Sequence, residues 1–539
     1  MEIYQINALN FSYPKSDRKV LDNVSLTIFE GDFIVLCGKS GSGKTTLLAH
    51  LKPAVTPHGQ TTGEILFNQQ PLTAIDERRQ AAEIGFVTQN PDNQIVTDKV
   101  WHELAFGLES LGYHQQTIRL RVAEMATFFD MQTWFTKDVS QLSGGQKQLL
   151  NLASIMAMQP KVLILDEPTA QLDPIAAKEF LDTIKKINIE LGVTVILVEH
   201  RLEEAFLLAD KVIIMEAGAV VFNDTPAAVG HQLKATHNEM LKYVPTAMQI
   251  YAKLPATNEI ACPITIRDGR RFLNQLNLPT SASQGEFAKA TPPPTKKNEA
   301  AITVDNLYFK YEKHAPDIIC GLSLKVCERE IYALLGGNGT GKTTILSLIA
   351  GLQKAYRGKV NRFGQKIRML PQNPQSLFVM NTVKKELLHL APNQKKAQEL
   401  AEFTAISQLM DQHPYDLSGG EAQRLAICKV LLSEPDILLL DEPTKGLDNE
   451  FKEKFGQLLL KLKNNGTTIL MVSHDVEFCA LFADYCGLMF NGEIIASGTP
   501  GEFFAGASFY TTAANKIARH LWPQVITTSE IIEKCQAVW

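Results

Sequence analysis

Two eight-residue stretches constrain this chain more than any bulk property: Gly38-Lys39-Ser40-Gly41-Ser42-Gly43-Lys44-Thr45 and Gly336-Gly337-Asn338-Gly339-Thr340-Gly341-Lys342-Thr343. Each follows an apolar run (Ile34 to Cys37; Ile331 to Leu335) and precedes a stretch with helical pattern. The glycines allow a tight turn that aims several backbone N–H groups at one anion, and the lysine neutralises phosphate charge. The hydroxyls of Thr45 and Thr343 stand where they can ligate Mg²⁺ beside a nucleotide phosphate. Strand, phosphate loop and helix form one unit of an open α/β sheet, so two copies predict two α/β domains in tandem.

The repeat continues downstream. Asp166-Glu167 and Asp441-Glu442 end the apolar runs Val162 to Leu165 and Ile437 to Leu440, and each pair is followed by Pro-Thr. Carboxylates at the C-terminal edge of such strands lie where ligands of open α/β sheets bind. About twenty residues earlier come Leu142-Ser143-Gly144-Gly145-Gln146 and Leu417-Ser418-Gly419-Gly420-Glu421. A serine with two bare glycines opening a helix is an N-cap and an anion nest. The two lysines lie 298 residues apart, but the signature serines and the aspartates lie 275 apart, so the second half is the shorter. The extra residues of the first half fall mostly around Thr56 to Ala82, read as a loop and edge-strand insertion. Helical periodicity from about Val100 to Phe135, and from about Val383 to Met410, predicts a helical subdomain inserted in each half.

These marks divide the chain into a first domain over 1–225, an extension and Pro-containing linker over 226–300, a second domain over 301–500 and an aromatic tail over 501–539. Residues Ser281 to Glu299 read as true linker. The tail carries Phe503, Phe504, Phe509, Tyr510, Trp522 and Trp539, a load that predicts docking onto a folded surface. The net charge of -5 and pI near 6.2 lack the basic excess of nucleic-acid-binding domains, and no nucleic-acid partner is expected. No apolar run reaches the roughly 18 residues needed to cross a bilayer. Eight scattered cysteines without a Cys-x-x-Cys pair read as plain thiols of a reducing compartment.

The combination resembles the nucleotide-binding domains of ABC ATPases over nearly all of residues 1 to 500, which implies ATP and Mg²⁺ as cofactors. The resemblance places an adenine-stacking aromatic at Tyr13 and Tyr311. It places the phosphate cradle at Gly38, Ser40, Gly41, Gly43, Lys44, Thr45 and Thr46, and at Gly336, Asn338, Gly339, Gly341, Lys342, Thr343 and Thr344. Mg²⁺ would be held by Thr45, Gln89 and Asp166, and by Thr343, Gln372 and Asp441. Glu167 and Glu442 would orient and deprotonate the attacking water, with His200 and His474 as switch histidines and Gln89 and Gln372 sensing a transmembrane partner. Leu172-Asp173 and Leu447-Asp448 match the D-loop. In this family the domains pair head to tail, so the signature residues Ser418, Gly419 and Gly420 would complete the first site. Ser143, Gly144 and Gly145 would complete the second. Glu421 in place of glutamine is the one departure from the signature pattern.

Within the family, Gln89-Asn90-Pro91-Asp92-Asn93-Gln94 with Thr97 is similar to the Q-loop of energy-coupling-factor (ECF) importers of vitamins or metal ions. Pro245 to Leu273 resembles the C-terminal extension of those ATPases, and the fused form and tail resemble tandem ATPases of hydroxymethylpyrimidine/thiamine type. That resemblance implies two partners, an integral membrane scaffold subunit and a small substrate-binding membrane subunit. It also implies a peripheral position on the cytoplasmic face of the cell membrane. Two alternatives stay open. Tandem ATPases of sugar importers have this length but usually carry one degenerate site, whereas both sets here are intact. Ribosome-associated tandem factors carry a long basic helical arm, whereas 226–300 holds nine Lys/Arg against five Asp/Glu with frequent prolines.

Overall fold

The computed structural model describes residues 1–14, 18–254, 260–276, 278, 299–364, 366–390, 394–508 and 510–537. It divides into two compact units, Met1–Asp268 and Gly269–Trp539.

In the first unit a six-stranded sheet runs in the order Ile84–Val87, Val162–Asp166, Thr194–Val198, Phe33–Cys37, Lys211–Glu216, Ala219–Asp224. All neighbours are parallel except the last pair. The central strands are unbroken Val/Ile/Leu runs because both faces are covered, one of them by the phosphate-loop helix and an antiparallel sheet, leaving no solvent side for polar residues. A second, antiparallel sheet of Leu21–Phe29, Glu2–Ser12, Gln60–Phe67 and Gln70–Pro71 shares a core with the first. Leu47 and Leu48 of the phosphate-loop helix Lys44–His50 plug into that core, which fixes the loop to both sheets. The second unit repeats the order with Ile367–Leu370, Ile437–Asp441, Thr468–Val472, Ile331–Leu335, Tyr485–Phe490 and Glu493–Gly498. Its antiparallel sheet has three strands, Ile319–Cys327, Ala300–Phe309 and Arg357–Arg362. The inserted helices are Val100–Ser110 and Gln115–Phe128 in the first unit, and Val383–Leu390 and Gln394–Phe403 in the second.

The additional length of the first half includes more than loop and edge strand. After the short strand Gln70–Pro71 comes the helix Glu77–Glu83, N-capped by Asp76, whose side chain accepts from Arg79 N at 3.2 Å. Its polar sequence hides it from a periodicity reading, and its cap decides it.

The unit boundary falls inside the stretch 226–300 expected as extension and linker. The helices Pro226–Ala235 and Thr246–Lys253 pack on the first unit, with Leu233, Met248 and Tyr251 fully buried. Glu203 accepts from both the backbone and the hydroxyl of Thr246, and Asn238 donates to Glu216. Of the stretch Ser281 to Glu299 expected as true linker, all but Glu299 lies outside the described residues. The tail forms the helices Pro500–Gly506, Ala513–Ala518 and Thr528–Gln536, and buries Phe504, Trp522, Ile526 and Ile531. Within the second unit, Arg270 donates to Lys516 O and His520 bonds Asn274, so the helix Ile266–Gln275 is stapled to this tail. Phe509 and Trp539 lie outside the described residues.

Candidate nucleotide sites

At Gly38 φ is 152°, and a Cβ there would stand 2.2 Å from Met215 O; at Gly336 φ is 154° and the clash is 2.4 Å with Met489 O. Only a bare backbone lets each loop press so closely on its neighbouring strand. Lys44 Nζ donates to Gly38 O (2.8 Å) and Lys39 O (2.9 Å), and Lys342 Nζ to Gly336 O (3.0 Å) and Gly337 O (2.8 Å). Both ammonium groups are thereby centred in their loops. Tyr13 and Tyr311 stand beside them, largely exposed, their hydroxyls 3.3 Å and 3.2 Å from Thr46 and Thr344. An exposed aromatic face pinned at its hydroxyl end is free to stack on a base.

The carboxylates follow at the strand ends. Thr45 donates to Asp166 at 3.3 Å. Burial, then the charge of Glu167, pushes the Asp166 carboxyl up to about 6. Both Glu167 and Glu442 hold positive φ (49° and 51°), a region that non-glycine residues seldom occupy, and each N–H is tied to the neighbouring strand, at Val198 O and Val472 O. In the first unit Glu167 Oε1 meets His200 Nε2 at 2.7 Å and Oε2 accepts from Gln89 Nε2 at 3.1 Å. Burial works to raise this carboxyl, but the bond to His200, its charge and Lys44 together outweigh that and leave it below the usual range.

The second unit holds the same residue types differently. His474 Nε2 lies 3.1 Å from both Asn338 Oδ1 and Glu442 Oε1, while its N–H donates to Glu442 Oε2 at 3.2 Å. Gln372 is exposed, and among the described residues it makes no hydrogen bond to Glu442. Burial raises Glu442 to about 7 against the opposing pull of Lys342. Asp441 is fully buried, and burial raises its carboxyl against the opposing pull of the Thr343 hydroxyl and of Lys342. A buried carboxylate beside a threonine hydroxyl at the mouth of the phosphate loop is an all-oxygen donor set, which fits a hard divalent ion.

The signature serines cap the helices Gly144–Met156 and Gly419–Leu431, each closed by a capping box. Glu421 accepts from Ser418 N at 2.9 Å as Gln146 accepts from Ser143 N at 3.0 Å, so the glutamate departure keeps the local structure. A Cβ at Gly144 or Gly419 would meet nothing within 4 Å, so both signatures present open backbone.

The profile of the ABC transporter family matches residues 21–170 and 319–445, which contain both loops, both signatures and both Asp-Glu pairs. The chain belongs to the ABC transporter ATPase family. A Bacillus thuringiensis relative, provisionally named an ABC transporter ATP-binding protein, is 42% identical over 98% of this chain and 98% of its own. Among solved structures, cbiO1 of Clostridium perfringens, part of the ABC transporter complex cbiONQ, is 30% identical over 45% of this chain and 95% of its own, with TM-score 0.40. An archaeal ribosome recycling factor, solved in complex with a ribosomal stalk protein, covers 92% of this chain and 91% of its own at 20% identity and TM-score 0.57. This is therefore an ATP-binding and ATP-hydrolysing ABC ATPase with two P-loop domains.

Sequence reasoning missed several contacts of this ABC ATPase. Gln94, noted only as part of a motif, accepts from Thr88 N (3.0 Å) and Asn151 Nδ2 (2.9 Å) and donates to Phe86 O (2.7 Å). Lys147 pairs with Asp92 at 2.6 Å. Glu103 accepts from Val96 N and Thr97 N. These bonds tie the loop after Gln89 to the signature helix and to the inserted helix Val100–Ser110. The i, i+4 pair of polar residues Lys147 and Asn151 on one face of that helix is the signal that could have shown it.

Proposed function

We propose that this chain is the energising subunit of a membrane importer of ECF type, serving a vitamin or another micronutrient. The observation that carries this reading is the loop 89–97, which touches Glu167 through Gln89 and the signature helix through Gln94, while Val96 (67% exposed) and Trp101 (45%) stand in solvent beside it. A partner helix pressed on Val96 and Trp101 would thereby shift Gln89 against the glutamate that orients water. The corresponding surface of the second unit differs: there Lys429 Nζ holds Leu377 O and the buried Glu386. Two unlike grooves suit two unlike helices of one membrane scaffold subunit. No described helix is long and apolar enough to span a bilayer, so the chain itself would sit peripherally on the cytoplasmic face against that scaffold and a small substrate-binding subunit.

In this reading each ATP is held by the phosphate loop of one domain and the signature of the other, in head-to-tail pairing. Lys44, Asp166, Glu167 and His200 work with Ser418 to Gly420, and Lys342, Asp441, Glu442 and His474 with Ser143 to Gly145. Thr45 with Asp166, and Thr343 with Asp441, would hold Mg²⁺, which supplies charge neutralisation at the phosphates. Glu167 and Glu442 take the proton of the attacking water, and His200 and His474 face the γ-phosphate. Binding draws the domains together and hydrolysis releases them.

The match to a ribosome recycling factor concerns the fold alone at its low identity, and the described connector forms short helices around Pro226 and Thr246 rather than one arm. The test is purification from native membranes in mild detergent, followed by mass spectrometry. Co-purification of a scaffold protein and a small hydrophobic subunit supports the importer, and hydroxymethylpyrimidine and thiamine are the first ligands to offer that subunit. Recovery with ribosomal proteins from the soluble fraction sinks it.

A further inference from the structure

A charged residue stands where the strand Thr194–Val198 leaves the sheet, one position before the switch histidine. Glu199 is 3% exposed. Its Oε1 accepts from the N–H of Thr169 (3.1 Å) and from the Thr169 hydroxyl, and its Oε2 accepts from His200 N (2.9 Å) and Arg201 N (3.3 Å). Thr169, itself fully buried, lies two residues after Glu167. Arg201 then reaches back with its guanidinium to Leu172 O at 2.8 Å. Bonds to an ionised acceptor are about twice as strong as neutral ones, and four on one buried carboxylate fix both segments it bridges. The path closes on itself, because His200 Nε2 ends on Glu167 Oε1.

Among the described residues the second unit has no such bridge. Ser473 occupies the position of Glu199, its hydroxyl accepting from Asp475 N at 3.0 Å, and Asp475, in the place of Arg201, pairs with Lys452 at 2.7 Å. In that unit the histidine divides between Asn338 and Glu442.

We infer that Glu199 is a positioning residue of the first nucleotide site: its buried carboxylate yokes the turn after Glu167 to the backbone of His200, so that histidine and glutamate are presented as one group. Arg201 extends the yoke to the segment Leu172-Asp173. The inference rests on the proposed roles of Glu167 and His200. Water activation at the first site then depends on Glu199, although its carboxylate is engaged by Thr169 and by the backbone of His200 and Arg201.

The isosteric variant Glu199→Gln tests it, because it keeps the volume but turns an amide NH₂ toward backbone N–H donors. In a Glu442→Gln background, where the first site alone retains its glutamate, E199Q is expected to lower kcat about tenfold while the half-saturating ATP concentration moves less than about twofold. An unchanged kcat, or a fall in kcat matched by an equal change in half-saturation, overturns the yoke. A second readout does not depend on turnover. With ¹⁵N-labelled histidine, the His200 ring signal, assigned by its loss in H200Q, should shift in E199Q toward the value it takes in E167A. An unmoved signal overturns the inference. H200A separates the two levels. If H200A is inactive and E199Q is not, the yoke fails alone; if H200A keeps full first-site activity, the switch reading and the yoke fail together.

Discussion

In the first unit His200 sits on one oxygen of Glu167 and Gln89 on the other, whereas in the second His474 is shared between Asn338 and Glu442 and Gln372 stands in solvent. The residue types repeat, but the hydrogen bonds do not. The difference starts at positions that vary between the two halves: Glu199 against Ser473 and Arg201 against Asp475 beside the histidines, and Ser40 against Asn338 within the phosphate loops. It teaches that an intact set of motif residues does not make two sites equivalent. Electrostatics follow the bonds, since the histidine-bound glutamate is held below its usual range and the other is pushed up to about 7.

The comparison breaks first on the glutamates. The double variant E167Q/E442Q should lose hydrolysis by about a thousandfold while retaining ATP binding, and each single variant should keep part of the rate, read by phosphate release. Complete loss from one single variant would mean that one glutamate serves the whole chain. The histidines come next. With the opposite glutamate silenced, H200A should lower its site's kcat about a hundredfold and H474A about tenfold, because only His200 bonds its glutamate squarely; equal losses would erase the distinction.

The pH dependence sharpens the contrast. Glu442 must be ionised to accept a proton, and a group titrating at about 7 is progressively protonated below that pH. In E167Q, where the second site works alone, kcat should fall about tenfold from about pH 8 to about pH 6. In E442Q, Glu167 stays ionised over that range and kcat should hold. Its half-saturating Mg·ATP should instead rise below pH 6, as protons compete with cations for Asp166, raised to about 6. Coincident profiles would contradict the assignment. The smallest effect is expected from Asn338→Ser, which gives the second loop the residue of the first. Release of His474 onto Glu442 should raise second-site kcat about threefold in E167Q, near the worth of one exchanged hydrogen bond.

The nucleotide-binding parts were legible in the sequence for a physical reason. Phosphate loops need glycines at conformations other residues avoid, and buried parallel strands need continuous Val/Ile/Leu runs, so Gly38, Gly336 and the strands beside them declare themselves. The tail's aromatic load likewise anticipated burial at Phe504 and Trp522. The helix Glu77–Glu83 did not declare itself, because its residues are polar and Asp76 alone marks its start. Glu199 was passed over because a charge next to a histidine at a strand end looks solvated. Its burial depends on Thr169, thirty residues away in sequence, and no local pattern shows that pairing.

The last helices of the chain carry one more lesson. Ile526, from the turn before Thr528–Gln536, belongs to the same core as the central strands of the second unit, and Ala513 N donates to Glu477 on the helix that follows His474. A stop codon placed after Gly506 would uncover that core in every molecule made. The truncated polypeptide would be cleared by proteases before any loss of activity could be read. In a genetic screen such an allele would score as missing protein, indistinguishable from deletion of the gene until the polypeptide is measured on a blot.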